Sequence, residues 1–145
     1  MRSRAHIAGH PIHPMLVVFP IGLWVFSFVS DLIYAGGGNT LWAVLAYYTM
    51  AGGILGALAA AIFGAIDLFS ITTGETRRIG LVHMSLNLLI VVLFVINLWK
   101  RAGTEVPSAG LIWLSGISIG LLLVSGWFGG ELVFRHGVGV EGRDD

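Results

Sequence analysis

Four long apolar runs divide the chain, and short polar segments rich in glycine separate them. The runs cover residues 14–35, 41–71, 79–100 and 109–134. Each reaches the roughly 20 residues that a helix needs to cross the hydrocarbon core of a bilayer. None alternates over about 10 residues, as a membrane-spanning strand would. The pattern predicts an all-α fold, an integral membrane four-helix bundle that forms one domain over residues 1–145.

Composition excludes several classes of protein. Charged residues make up 11% of the chain, whereas a soluble domain carries about 25%. The 8 basic and 8 acidic residues balance, so no net field attracts nucleic acid and we expect no such partner. The chain has no cysteine, which excludes disulfides, thiolate metal sites, iron–sulfur clusters and thioether-linked haem.

The distribution of basic residues sets the expected orientation. With four spans, the N-terminus, the middle loop and the C-terminal tail share one side of the membrane. The opposite side holds only Lys100 and Arg101. The positive-inside rule therefore places both termini in the cytoplasm. The basic residues on the cytoplasmic side are Arg2, Arg4, Arg77, Arg78, Arg135 and Arg143.

All five histidines fall at that same predicted face. His6, His10 and His13 precede the first span, His83 lies about a turn and a half into the third, and His136 follows the fourth. His6 is expected to be solvated. His136 follows a helix C-terminus, where the helix dipole favours a cation, so it is either a ligand or a dipole partner.

Two local patterns make some of these histidines candidate ligands. His10 and His13 are three residues apart, so one helical turn places both on one face, and Pro11 and Pro14 stiffen that backbone. An ionisable side chain at the depth of His83 is costly and is functional by default. Asn87, one turn deeper, is positioned to hydrogen-bond His83 and fix its tautomer.

Carboxylates complete the candidate site. Asp67 and Glu131 lie near the same face, where each can be a metal ligand, an acceptor for a histidine N–H, a proton relay or the partner of an arginine. Asp31 lies near the opposite face, where we expect Lys100 or Asn97 as its partner or a separate proton route. The predicted ligands are His10, His13, His83 and His136, supported by Asp67, Asn87 and Glu131.

Small residues recur every fourth position in the second and fourth spans. This spacing lets helix backbones approach closely in lipid, and it also suits a flat groove for a planar cofactor. Spacing alone leaves both interpretations open. The positions are Gly52, Gly56, Ala60 and Gly64 in the second span, and Gly116, Gly120, Gly126 and Gly130 in the fourth.

Five local features stand out along the chain: the H-P-I-H-P-M segment at 10–15, F-P-I-G-L at 19–23, the late Asp31, G-A-I-D at 64–67, and the closing H-G-V-G-V at 136–140. Together they resemble a known bacterial membrane family, the domain of unknown function 2231. His83 with Asn87 fits as well, and the resemblance covers essentially the whole chain. It implies a multi-pass protein of the bacterial inner membrane without an established activity. Some members of that family are joined to redox modules, so the resemblance also implies a role in electron transfer.

Three functions follow, in order of preference. The first is a redox protein that binds haem b through one or two axial imidazoles and exchanges electrons with a quinol or a partner protein. His83 is the first expected ligand, and His13, His10 or His136 would supply the second. The second is a non-haem site for Zn, Cu or Fe, built from the four histidines with a carboxylate. The third is a cofactor-free accessory subunit, or a carrier that works as a homo-oligomer. No nucleophile–base pair or phosphate-binding loop is visible, so we do not expect a hydrolase or an ATPase. The pattern leaves open whether the protein is an enzyme of another kind.

Overall fold

The structure is a computed structural model that describes residues 3–72 and 74–140. Arg2 and Arg143, which contribute to the charge bias, lie outside this range. The elements are β1 (His6–Ile7), β2 (His10–Pro11), α1 (Ile12–Leu16), α2 (Val18–Ala35), α3 (Thr40–Ser70), α4 (Gly74–Arg101) and α5 (Ala109–Phe134).

The described helices form four spans that are long and apolar enough to cross a membrane. The first span runs through α1 and α2 together, from Ile12 to Ala35, and the others coincide with α3, α4 and α5. Large apolar side chains such as Leu55, Leu123 and Trp127 are more than 70% exposed, which suits contact with lipid. The prediction of an all-α, four-helix membrane bundle is confirmed.

The helices pack as two hairpins. The α2–α3 and α4–α5 contacts within each hairpin are more extensive than the α3–α4 and α2–α5 contacts between them. Consecutive helices run in opposite directions, so the start of the first span and the end of α5 lie at the same end of the bundle. We call this end the terminal face; it holds residues 3–13, 67–72, 74–78 and 131–140. The opposite end, with residues 36–39 and 101–108, is the loop face.

Buried positions follow a spacing of alternating three and four residues on each helix, which is the packing pattern of left-handed bundles. On α4, for example, Ile90, Phe94, Asn97 and Arg101 are buried. The middle of the bundle is apolar, whereas polar side chains occupy the interior towards each face. The apolar core consists of Trp24, Met50, Ile54, Ile90, Phe94 and Leu122.

The two hairpins use equivalent positions across the bundle axis. Asp31 and Arg101 form an ion pair and are 70 residues apart. The same separation relates Trp24 to Phe94, whose rings stack, and His13 to His83, whose rings meet edge to face. These contacts indicate an approximate two-fold relation between α2–α3 and α4–α5.

Local chemistry explains where the first helices start and stop. Pro20 lacks an N–H and cannot bond to the carbonyl four residues earlier, so the first span breaks one turn before it, at Val17. Gly37 adopts φ +99° just after α2, a left-handed conformation that glycine accepts without strain. The side chain of Asn39 then accepts a hydrogen bond from the N–H of Leu41 and caps α3.

Candidate functional site: a histidine pair on the bundle axis

The N-terminal segment folds back as a small hairpin that presents His13. Strands β1 and β2 pair in antiparallel register through a two-residue turn at Ala8 and Gly9, whose φ angles are 49° and 82°. Positive φ at both positions is the requirement of a type I′ turn. The N–H of Ile12 donates to the carbonyl of Ala5. The first span therefore starts directly after the hairpin.

His13 and His83 meet across the bundle at the terminal face. Their ring centres are 6.5 Å apart, and the ring planes are inclined by 89°. His13 comes from the first span and His83 from α4, which lie diagonally across the bundle. Both side chains are half-buried. The structure thus brings together two of the four predicted histidine ligands.

Each ring is held by a backbone carbonyl of the neighbouring helix in its own hairpin. The Nδ1 atom of His13 lies 2.8 Å from the carbonyl oxygen of Ala60 on α3. The Nδ1 atom of His83 lies 2.9 Å from the carbonyl oxygen of Ser125 on α5. A carbonyl oxygen only accepts hydrogen bonds, so Nδ1 carries the proton in both rings and Nε2 keeps its lone pair.

A glycine one turn beyond each carbonyl makes room for the imidazole. A Cβ atom on Gly64 would lie 2.9 Å from Cε1 of His13, and a Cβ on Gly129 would lie 3.1 Å from Cε1 of His83. Gly53 likewise faces Trp24, and Gly116 faces Phe28. These glycines make room for side chains. Gly64 and Gly116 belong to the spacing pattern seen in the sequence, whereas Gly53 and Gly129 do not, and a Cβ at Gly120 or Gly126 would meet nothing within 4 Å.

Asn87 and Ser125 extend the polar contacts of His83. The amide of Asn87 donates to the backbone carbonyl of His83 and to the hydroxyl of Ser125, both at 2.8 Å, and it also lies 3.2 Å from Nε2 of His83. The predicted hydrogen bond between Asn87 and His83 is present. The carbonyl of Ser125, rather than Asn87, places the proton on Nδ1.

The other histidines lie apart from this pair. His10 is exposed, and its Nδ1 contacts the carbonyl of Ala8 in its own turn at 3.0 Å. His136 contacts the hydroxyl of Thr76 at 2.9 Å, and His6 is exposed on β1. Among residues 3–72 and 74–140, no group of three or more histidine, aspartate or glutamate side chains could hold a metal ion. The four-histidine cluster is therefore not assembled, and metal ligation stays a prediction.

The two predicted carboxylates have structural partners of different kinds. Asp67 accepts hydrogen bonds from the hydroxyl of Ser3 at 2.8 Å and from the backbone N–H groups of Arg4 at 2.9 Å and Ala5 at 3.1 Å. It thereby anchors the N-terminal segment to the end of α3. Glu131 pairs with Arg135 one turn along α5, at 2.8 Å.

A second polar cluster is buried at the loop face. Asp31 and Arg101 form two hydrogen bonds of 2.7 Å each, and both side chains are fully buried. Asn97 accepts from Nε of Arg101 at 2.8 Å and donates to the hydroxyl of Ser115 at 2.9 Å. Of the two expected partners of Asp31, Asn97 bonds to Arg101 instead of Asp31, and Lys100 is exposed. The expectation of Lys100 is wrong, because Arg101 continues the buried face of α4 and Lys100 does not.

Two features of the site were not predicted from the sequence. The acceptors for both rings are main-chain carbonyls, and no side-chain pattern marks a carbonyl. The repeat between the hairpins left a weak signal, since His13, Leu16, Leu23 and Val25 recur as His83, Leu86, Leu93 and Val95. An alignment of the chain with itself would have paired the two histidines.

Comparisons with known proteins support the resemblance seen in the sequence. No curated protein and no solved structure matches the chain. The family described as "Predicted membrane protein (DUF2231)" matches residues 9–142, which include both histidines of the pair and the buried ion pair. The chain therefore belongs to the DUF2231 family of membrane proteins.

Proposed function

We propose that this protein is an inner-membrane redox protein that binds haem b between His13 and His83. The observation that carries the proposal is the pair itself: two imidazoles from different hairpins, with ring centres 6.5 Å apart across the bundle. Haem b requires one or two axial imidazoles and no covalent link to the chain. A non-haem site requires at least three ligands, a number that the described histidines and carboxylates do not bring together.

The spacing of the rings supports two ligands on opposite sides of one ion. With metal–nitrogen bonds of about 2.0 Å, ring centres on opposite sides of an ion lie roughly 6 Å apart, whereas tetrahedral ligands bring them to roughly 5 Å. The observed separation is 6.5 Å. It agrees better with axial ligation of haem than with a tetrahedral ion.

The hydrogen bonds of both rings support the same proposal. A histidine that binds metal through Nε2 commonly donates its Nδ1–H to a carbonyl or carboxylate, which fixes the tautomer and the ring plane. The carbonyls of Ala60 and Ser125 are the acceptors for the two rings. Asn87 now occupies Nε2 of His83, so ligation would exchange that hydrogen bond for a bond to iron.

Space for the porphyrin would have to come from the interface between the hairpins. The space beside Gly64 and Gly129 is already occupied by the two imidazole rings. The contacts between hairpins are less extensive than those within them. Haem binding would therefore require the interface at the terminal face to repack around the edge of the porphyrin, while the separation of the two imidazoles stays near the observed one and each histidine stays bonded to its own hairpin.

Bound haem b would supply one-electron transfer between iron(III) and iron(II). A quinol in the bilayer is a suitable donor, because it releases its two electrons one at a time together with two protons. A redox protein at the terminal face is the alternative partner. In either case His13 and His83 would orient the group, and the apolar core beneath them would exclude water.

An absorption spectrum of protein purified in mild detergent tests the proposal. We expect a Soret band in the oxidised protein and sharp α and β bands after reduction with dithionite. His13→Ala and His83→Ala should each lose these bands, whereas His10→Ala and His136→Ala are matched controls that should retain them. A featureless wild-type spectrum, even after haemin is added, would rule the proposal out.

A cofactor-free bundle is the second candidate, because the pair is well satisfied without a ligand. No buried side-chain nitrogen or oxygen atom in the described part of the chain lacks a hydrogen-bond partner. An accessory subunit, or a carrier assembled from several copies, would use the histidines to join its hairpins. In that case His13→Ala and His83→Ala lower the unfolding temperature, while the spectrum and the metal content match those of the wild type.

A further inference from the structure

A groove on the outside of α4 carries two arginines at its polar end. The cavity has a volume of about 690 Å³ and is open to the surroundings of the bundle. Arg77 and Arg78 line it at the terminal face, and Leu81, Leu86 and Leu89 line it further along the helix. Successive lining positions are one turn apart, so the groove follows the helix axis. It lies away from His83, which points into the bundle.

The dimensions of the groove match one leaflet of a bilayer. From Arg77 to Leu89 the helix rises about 18 Å, which is roughly half of the 30 Å hydrocarbon core plus the start of the headgroup layer. The groove therefore begins at the level of lipid headgroups and ends near the level where acyl chains terminate. Its wall is apolar below the arginines apart from the small side chain of Ser85.

The positive charge of the two arginines at the polar end of the groove favours an anionic ligand. Both arginines are exposed, and Nη1 of Arg77 contacts the carbonyl of Thr72, which ties the side chain to the loop before α4. Guanidinium groups pair with phosphate through two parallel hydrogen bonds. Gly74, where α4 begins, also lines the cavity, so the positive end of the helix dipole adds to the field. Glu75 is not among the lining residues.

We propose that this groove binds an anionic phospholipid, with the phosphate on Arg77 and Arg78 and an acyl chain along Leu81, Leu86 and Leu89. A basic pocket at the headgroup level above an apolar groove is the arrangement that recognises such lipids. A neutral phospholipid has the same acyl chains but does not offer the arginines a net negative charge. The groove is thus a binding site separate from the histidine pair.

The unfolding temperature in detergent, measured with added lipid, tests this assignment. Phosphatidylglycerol should raise the midpoint of the wild type progressively with concentration, because a ligand that binds only the folded state stabilises it. Phosphatidylcholine and inorganic phosphate should raise it by less than half as much. In Arg77→Gln/Arg78→Gln the shift should be lost, while Arg135→Gln, which removes another exposed arginine at the same face, should retain it.

A second variant tests the groove without changing its charge. Ser85→Trp places a large ring among the lining residues on an exposed surface, and it should also abolish the shift caused by phosphatidylglycerol. Native mass spectrometry should find the lipid on the wild type and on Arg135→Gln but not on Ser85→Trp. An equal shift with phosphatidylcholine, an equal shift with inorganic phosphate alone, or full retention of the shift in both groove variants would overturn the proposal.

Discussion

Trp24 and Phe94 stack face to face at the centre of the bundle, with ring centres 4.4 Å apart and ring planes 17° from parallel. One ring comes from each hairpin, and both side chains are almost fully buried. The indole N–H also donates to the carbonyl of Met50 at 3.3 Å. This pair joins the two hairpins at a level between the histidine pair and the buried ion pair.

Gly53→Ala should destabilise the bundle through this stack. A Cβ atom at Gly53 would overlap the indole ring of Trp24, and the ring cannot move without disturbing Phe94. Overpacking of this kind costs about 1–3 kcal/mol, so the unfolding temperature in detergent should fall. Gly120→Ala is the matched control, because nothing lies within 4 Å of its Cβ position. Equal midpoints for the two variants would contradict this account of Gly53.

Swapping the two residues of the ion pair at the loop face should cost less stability than removing the charge of one of them. Asp31→Asn leaves the guanidinium of Arg101 buried without a counter-charge, which typically costs about 3–5 kcal/mol. The double exchange Asp31→Arg/Arg101→Asp should recover part of that loss, because the two positions are equivalent in the two hairpins. Recovery should be incomplete, since Asn97 and Ser115 are placed to bond an arginine at position 101. Denaturation of both variants checks this, and an exchange no more stable than Asp31→Asn would refute it.

Asp67→Ala should release the N-terminal segment while leaving the helices folded. The carboxylate accepts hydrogen bonds from Ser3, Arg4 and Ala5. These hydrogen bonds hold the peptide bond between Arg4 and Ala5 against α3. Trypsin should therefore cut after Arg4 faster in the variant than in the wild type, as mass spectrometry of timed digests would measure. Glu131→Ala is the control, because that carboxylate pairs with the exposed Arg135. Unchanged cleavage in Asp67→Ala would mean that the anchor lies elsewhere.

Gly64→Ala and Gly129→Ala should disturb the two histidines selectively. The added methyl group approaches His13 to 2.9 Å in the first variant and His83 to 3.1 Å in the second. The first contact is the tighter one. Gly64→Ala should therefore weaken the hydrogen bond between His13 and the carbonyl of Ala60 more than Gly129→Ala weakens the hydrogen bond between His83 and the carbonyl of Ser125. Ring ¹⁵N shifts of labelled histidine report both bonds. Gly126→Ala is the control, because its Cβ position is open space, and it should leave the ¹⁵N chemical shifts of both rings unchanged. If Gly64→Ala also left the shifts of His13 unchanged, the contact between position 64 and His13 would be disproved.

The sequence predicted the architecture because membrane spans are encoded locally. The length of an apolar run decides whether a helix crosses the bilayer, and each run of this chain could be judged without knowledge of the others. The break before Pro20 and the bond between Asn87 and His83 are local in the same sense. Each depends on residues within one turn of the same helix.

The contacts of the site could be predicted only in part, because they depend on how the helices rotate against each other. His13 and His83 were both named, but so were His10 and His136, and proximity to one face could not separate the two pairs. Helix rotation turns His83 and Arg101 into the bundle and Lys100 out of it. That rotation follows from packing around Trp24 and Phe94, which no short stretch of sequence specifies.

The position of the histidine pair has a consequence for how the protein would respond to membrane voltage. From His83 to Arg101, α4 rises about 27 Å, which is most of the thickness of the hydrocarbon core. The apolar residues around Trp24 and Phe94 fill the interior between those two points. A charge that reaches the histidines from the terminal face therefore crosses only a small part of the electric field, of which the whole is worth about 2.3 kcal/mol per charge at 100 mV. Chemistry at this pair would run at nearly the same rate in an energised and a de-energised membrane.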